Sequence, residues 1–193
     1  MSQSPHVNPD AALTVVSLNA WVDRADRLNM TSPGQAFARL HAYLKTPAGL
    51  ESPVIWSVEG RTQKNPLSQF DVSIESHERY LAIKASTTAH GTCSRCLQPV
   101  AIDLAVDTVL RIYQNDADAD EAAMREEADL LPDPIVASAQ FDLLAQVEEE
   151  LLLEFPDNPM HPADLASCVL PESGQAEPLS PFAAALARIS VKN

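Results

Sequence analysis

The chain has 193 residues, 46% of them hydrophobic, and carries 13 Lys and Arg against 27 Asp and Glu, for a net charge of −14. That length suits one domain with appendages, and the apolar share is enough for a real core. The acidic balance argues against a broad phosphate-coating surface and favours basic partners. No run of eighteen apolar residues occurs, so no membrane span is expected. The first residues lack a basic start followed by an apolar block, so no secretory signal is expected either. Three cysteines, an odd number, do not build a disulfide framework and fit a reducing cytoplasm.

The charge is uneven. Gln114 to Glu172 holds sixteen acidic residues and one base, Arg125, while the remainder is nearly neutral. Such a section serves either as a solvated face or as a surface for a basic partner.

In chain order, residues 1–10 are polar and read as a disordered start. Leu13 to Leu18 is rich in β-branched residues and predicts a short strand. Ser32 and Pro33 mark a helix start, with Ser32 as cap, running to about Leu44 and burying Phe37, Leu40 and Leu44. From Pro53 the apolar period becomes two: Val54, Trp56 and Val58; Phe70, Val72 and Ile74; Leu81 and Ile83; then Val100, Ile102, Leu104 and Val106. Ser76-His77-Glu78 is short enough for a hairpin connection. Val106 and Val109 differ in parity, which predicts a bulge between them.

Asn115 to Glu121 reads as a mobile acidic connection. Its alternating Asp residues suggest a calcium loop, but the glycine and the closing glutamate of that pattern are missing. Ile135-Val136 predicts one more strand. Phe141, Leu144, Val147, Leu151 and Leu152 form a stripe at helical spacing to about Glu154, with Glu148, Glu149 and Glu150 expected at solvent. Six prolines from Pro156 to Pro181 mark an extended tail, and Phe182 to Ile189 suits a short terminal helix. The expected class is α+β: an antiparallel β-meander or partly open barrel of four to six strands, with an amino-terminal helix, a carboxyl-side helix and an extended Pro-rich tail. The expected divisions are a start at 1–10, one α+β domain at 11–155, and an acidic tail at 156–193.

Chemistry concentrates at Cys93-Ser94-Arg95-Cys96, between two predicted strands. Two thiolates at this spacing on a hairpin tip can grip one zinc ion, and a structural zinc site wants four ligands. His161 and Cys168, in the Pro-rich tail, would complete a Cys3His set if folded back, and His90 is a further option. Alternatively, the pair caps the hairpin as reduced, half-buried side chains. A redox use is disfavoured, because that chemistry places the first cysteine at a helix start. Phosphate-loop, nucleophile-elbow and H-E-x-x-H motifs are missing, so no enzyme is expected. Arg24, Arg27, Arg39, His41 and Lys45 form a modest basic set, and the sheet region could present Trp56 and Tyr80 to RNA. Composition slightly favours the plainer reading of these residues as ordinary surface charges.

Three segments together resemble the YceD family, the large ribosomal RNA subunit accumulation proteins. They are Cys93-Ser-Arg-Cys96-Leu97-Gln98-Pro99-Val100, Phe141 to Pro156, and Pro159-Met160-His161 leading to Cys168, followed by Pro181 to Leu186. The resemblance runs from about Thr88 towards the carboxyl end. It implies a non-enzymatic bacterial cytoplasmic factor needed for accumulation of the 23S ribosomal RNA precursor. It also implies a zinc site in relatives bearing a second cysteine pair, where this chain has only Cys168 and His161. The partner expected from charge is a basic large-subunit ribosomal protein or the ribosomal RNA precursor, with no membrane or DNA role. Asp142, Glu148, Glu149 and Glu150, with the section from Asp116 to Asp129, are expected to face the protein partner. The second reading is a zinc-stabilised protein-interaction module without a ribosomal role, and a nuclease is the third.

Overall fold

The computed structural model describes residues 14–44, 50, 52–64, 77–124, 132–162 and 168. The predicted strand around Phe70 to Ile74, the start at 1–10, the terminal helix and most of the tail lie outside them.

Five strands build the main sheet: β2 (Arg27–Ser32), β3 (Val54–Lys64), β4 (His77–Thr92), β5 (Pro99–Tyr113) and β6 (Pro134–Val136), in that order across the sheet. All neighbours are antiparallel except β5 and β6, which run parallel. The sheet stays open, so the meander alternative holds rather than a closed barrel. A separate two-stranded ribbon joins β1 (Val15–Val16) to β7 (Phe141–Asp142).

Side chains alternate across a strand, so one sheet face takes Val54, Trp56, Val58, Leu81, Ile83, Leu104 and Leu110, all essentially buried. Three helices contribute to the core on that face: α1 (Leu18–Asp23), α2 (Ala38–Leu44) and α4 (Leu143–Glu154). α1 contributes Leu18 and Val22, α2 Leu40 and Leu44, and α4 Leu143, Val147 and Leu151. Gly60 on β3 permits the approach of α1, because a Cβ there would stand 2.7 Å from the Val22 Cα. α3 (Asp116–Ala123) lies against β5 and β6.

Several local expectations are corrected. Among the described residues of the first predicted strand, only Val15 and Val16 are extended; Leu18 already opens α1, with its N–H bonded to the Ser138 carbonyl. Ser32 does not cap a helix: it ends β2, and its hydroxyl accepts from the buried Trp56 indole at 3.0 Å. A 3-10 turn at Gly34–Ala36 intervenes before α2. His77 and Glu78 are not a hairpin connection but the start of β4, paired with Lys64 and Gln63. β4 and β5 stay in one register from Arg79–Ile112 to Thr92–Pro99, so no bulge separates Val106 from Val109. Val109 simply belongs to the other face. The acidic connection is helical, because Asn115 caps α3 by accepting from the Asp118 N–H at 2.9 Å.

Candidate metal centre

β4 and β5 are joined by the tight turn that carries the Cys-x-x-Cys pair. The Leu97 N–H bonds the Cys93 carbonyl at 2.9 Å, and the Cys93 N–H bonds the Gln98 carbonyl at 2.8 Å. Leu97 closes this turn in the left-handed region, with φ 59°, and is 63% exposed. The chain leaving α4 folds back onto the turn, where the Ser94 N–H bonds the Pro159 carbonyl at 2.8 Å. Gly91 makes room for that return: a Cβ there would meet the Phe155 ring at 3.1 Å and Pro159 at 3.5 Å.

The return brings His161 and Cys168 to Cys93 and Cys96. One ligand atom from each of the four lies within 4.8 Å of all the others. Cys93 Sγ and Cys168 Sγ are 3.8 Å apart, and Cys96 Sγ and His161 Nδ1 are 3.3 Å apart. Ligands about 2.3 Å from a tetrahedral zinc stand roughly 3.8 Å from one another, which these separations approach. His161 Nε2 lies 3.0 Å from the Pro99 carbonyl. A proton on Nε2 donated there leaves the Nδ1 lone pair for the cluster, the usual outer support of a metal-bound histidine. The three thiols are buried and unlinked, and His161 is half-buried. The four residues thus fit a metal such as zinc.

At Cys93 the surroundings also favour thiolate. Burial pushes the Cys93 thiol up, but the backbone N–H groups of Cys96, His161 and Arg95 and the Cys96 thiol outweigh it, and its pKa falls to about 5. Burial, then the neighbouring Cys96 and Cys93, push the Cys168 thiol up. That opposition is what three crowded thiols show before a cation neutralises them. The Arg95 guanidinium, 3.9 Å from Cys168 Sγ, supplies part of that positive charge. Arg95 between the thiols is expected from the sequence to favour thiolate, whereas the Pro99 carbonyl is a site contributor that sequence reasoning did not assign. His90, weighed as a ligand, is not in the cluster.

The carboxylates expected to face a partner hold the fold together. Asp142 is the N-cap of α4, accepting from the Leu144 and Ala145 N–H groups at 2.9 and 3.2 Å. Glu148 and Glu150, expected at solvent, are buried, with 7% and 9% exposure. The reason is that α4 is covered on two sides, by the sheet and by α2. Glu148 accepts from the Arg39 and Leu40 N–H groups at 2.7 and 3.1 Å, and from Arg39 Nε at 3.0 Å. Glu149, half-exposed, pairs with Arg39 Nη1 at 2.7 Å. Glu150 accepts from the Gln146 amide at 2.9 Å, and burial, with Asp133 and Glu149 nearby, raises its pKa.

The basic and aromatic residues considered for RNA are similarly engaged. Trp56 is buried, Arg24 pairs with Asp26, and the Tyr80 hydroxyl donates to Glu78. On the open sheet face Arg61, Lys84 and Arg111 pair with Glu59, Asp107 and Glu78 at 2.7–2.9 Å. By contrast, α3 exposes Asp116, Asp118, Asp120 and Glu121 and carries no base.

An open sheet covered on one face, whose hairpin tip meets a distant segment in a Cys3His clasp that could hold a metal, defines the class as an α+β protein with a candidate metal knuckle. The family model for the large ribosomal RNA subunit accumulation protein YceD matches residues 81–184, and the chain belongs to that family. The match spans both halves of the clasp. No curated protein and no solved structure gives a match. Membership implies a role in accumulation of large-subunit ribosomal RNA. Among the described residues no helix is long and apolar enough to cross a membrane.

Proposed function

We propose that this protein supports 23S ribosomal RNA accumulation as a non-catalytic assembly factor that holds a basic large-subunit ribosomal protein until RNA replaces it. The observation that carries this reading is the division of charge. On the open sheet face Arg61, Lys84 and Arg111 are held in ion pairs, whereas α3 exposes Asp116, Asp118, Asp120 and Glu121 and carries no base. Such a surface speeds encounter with a basic protein and releases it when a denser array of phosphates competes. Asp142, Glu148 and Glu150 serve this role by building the scaffold, and α3 with the half-exposed Glu149 supplies the contact.

Zinc in the Cys3His cluster would act as a cross-link, fixing the returning segment against the sheet so that the acidic surface has a rigid mount. Family membership favours the ribosomal reading over a metal module without one. The test is capture of basic large-subunit proteins on the immobilised protein across a salt series. Binding should weaken steeply between 50 and about 300 mM salt, as attraction between exposed charges is screened. Replacing Asp116, Asp118, Asp120 and Glu121 by lysine should reduce capture at least tenfold. Unchanged capture after that reversal would overturn the proposal.

A further inference from the structure

β5 is the longest strand edge left bare among the described residues. β6 covers it only at Arg111, Ile112 and Tyr113. There the Arg111 N–H bonds the Asp133 carbonyl and the Tyr113 carbonyl accepts from Ala137, so odd-numbered residues turn their backbone groups to that side. The alternation of a strand carries this direction back along β5. Ala101, Asp103, Ala105, Asp107 and Val109 therefore offer their N–H and C=O groups outward. Their even-numbered neighbours spend theirs on β4. No backbone bond from the described residues reaches this stretch, which spans about 27 Å at strand spacing. Native proteins seldom leave such an edge without cover or a purpose.

The geometry points to this edge as a docking strand for an extended basic peptide, which adds antiparallel or parallel beside β5. The charge selects the occupant. Asp103 and Asp107 stand on the open face of the edge strand, Asp103 accepting from the Thr88 hydroxyl and the 70% exposed Asp107 sharing its carboxylate with Lys84. The carboxylate-rich α3 lies beyond the Arg111 end. A second copy of this chain is disfavoured, because antiparallel pairing centred on Ala105 would set Asp103 directly opposite the other copy's Asp107. Like charges facing across strands are destabilising. A peptide with lysine or arginine at alternate positions meets the same acids favourably and satisfies the backbone groups, the usual logic of strand addition. This inference rests on the proposed basic partner and names the surface and backbone form it would use.

The test uses the full chain and a ten-residue synthetic peptide alternating lysine and valine. Hydrogen exchange at Ala101, Asp103, Ala105, Asp107 and Val109 should slow at least tenfold on adding it, with other strands unchanged. A peptide N-methylated at every second residue keeps the charge but lacks the N–H donors, and should bind at least tenfold more weakly. Asp103→Asn with Asp107→Asn should weaken the parent peptide comparably while leaving thermal stability in place. Equal binding of the N-methylated peptide would overturn the inference, reducing the contact to charge alone. So would protection of these amides in the protein by itself, since the edge would then be already filled. Capture of ribosomal proteins with no change at the edge would sink this inference and leave the proposed function standing. Peptide docking without any ribosomal protein captured would do the reverse.

Discussion

Glu148 is the substitution from which most can be learned. α2 begins after Phe37, a residue that cannot cap it, so the Arg39 and Leu40 N–H groups need an acceptor from elsewhere. Glu148 on α4 supplies one carboxylate oxygen to both. A hydrogen bond to a charged group contributes about 1.5–3 kcal/mol net, and two at the lower end sum to roughly 3 kcal/mol. The Arg39 guanidinium is half-exposed, so its ion pair adds no more than about 0.5 kcal/mol. Glu148→Ala should therefore cost about 3 kcal/mol in urea unfolding, with an unchanged slope on denaturant. Glu148→Gln retains an acceptor and should cost about 1–1.5 kcal/mol, while Arg39→Ala should cost under about 1 kcal/mol. A loss below about 1 kcal/mol for Glu148→Ala, or an Arg39→Ala loss as large, would refute the reasoning. The first result would deny the capping role, and the second would transfer it to the ion pair.

Three further outcomes are expected. Cys168→Ser should lower bound zinc, measured by elemental analysis on untagged protein, and should abolish any drop in melting temperature caused by a chelator. Glu150 has a raised folded pKa, so ionising it costs stability as pH rises above its unfolded value. Glu150→Gln should accordingly raise the melting temperature at pH 8, and this gain should shrink as pH falls and vanish well below the unfolded carboxyl's pKa, where both states hold the proton. Leu97→Gly removes a left-handed strain of about 1–2 kcal/mol and adds about 0.5–1 kcal/mol of unfolded-chain entropy. A net gain of about 0.5 kcal/mol in denaturant unfolding is expected, since the side chain is exposed.

The long central strands were readable because Val54-Trp56-Val58 and Val100-Ile102-Leu104-Val106 alternate with polar residues, the direct imprint of a sheet with one buried face. β2 was not. It is an edge strand whose Leu28 and Met30 are only half-buried, so the alternation in Arg-Leu-Asn-Met-Thr-Ser is weak. α3 was missed because its aspartates conceal a capped helix whose buried residues, Ala119 and Ala122, are small. Solvent exposure of Glu148 and Glu150 was inferred from their charge alone. No local pattern reveals that α2 brings its uncapped N–H groups to that side. The Cys93–Cys96 half of the centre was plain from spacing. His161 and Cys168 were candidates by residue type and by the family resemblance, not by any local pattern, because their arrival depends on Pro159 docking against Ser94, a long-range contact.

The clasp also has a topological effect. It joins the β4–β5 turn to the segment beyond α4, enclosing β5, α3, β6, β7 and α4 in one loop of chain. A cut between Ala123 and Pro134 would open that loop while leaving two of the four candidate ligands on each piece and α4 packed against the sheet. A metal in the cluster would add a cross-link between the two pieces beside the packing of α4 on the sheet, so chelation would loosen their complementation rather than undo it.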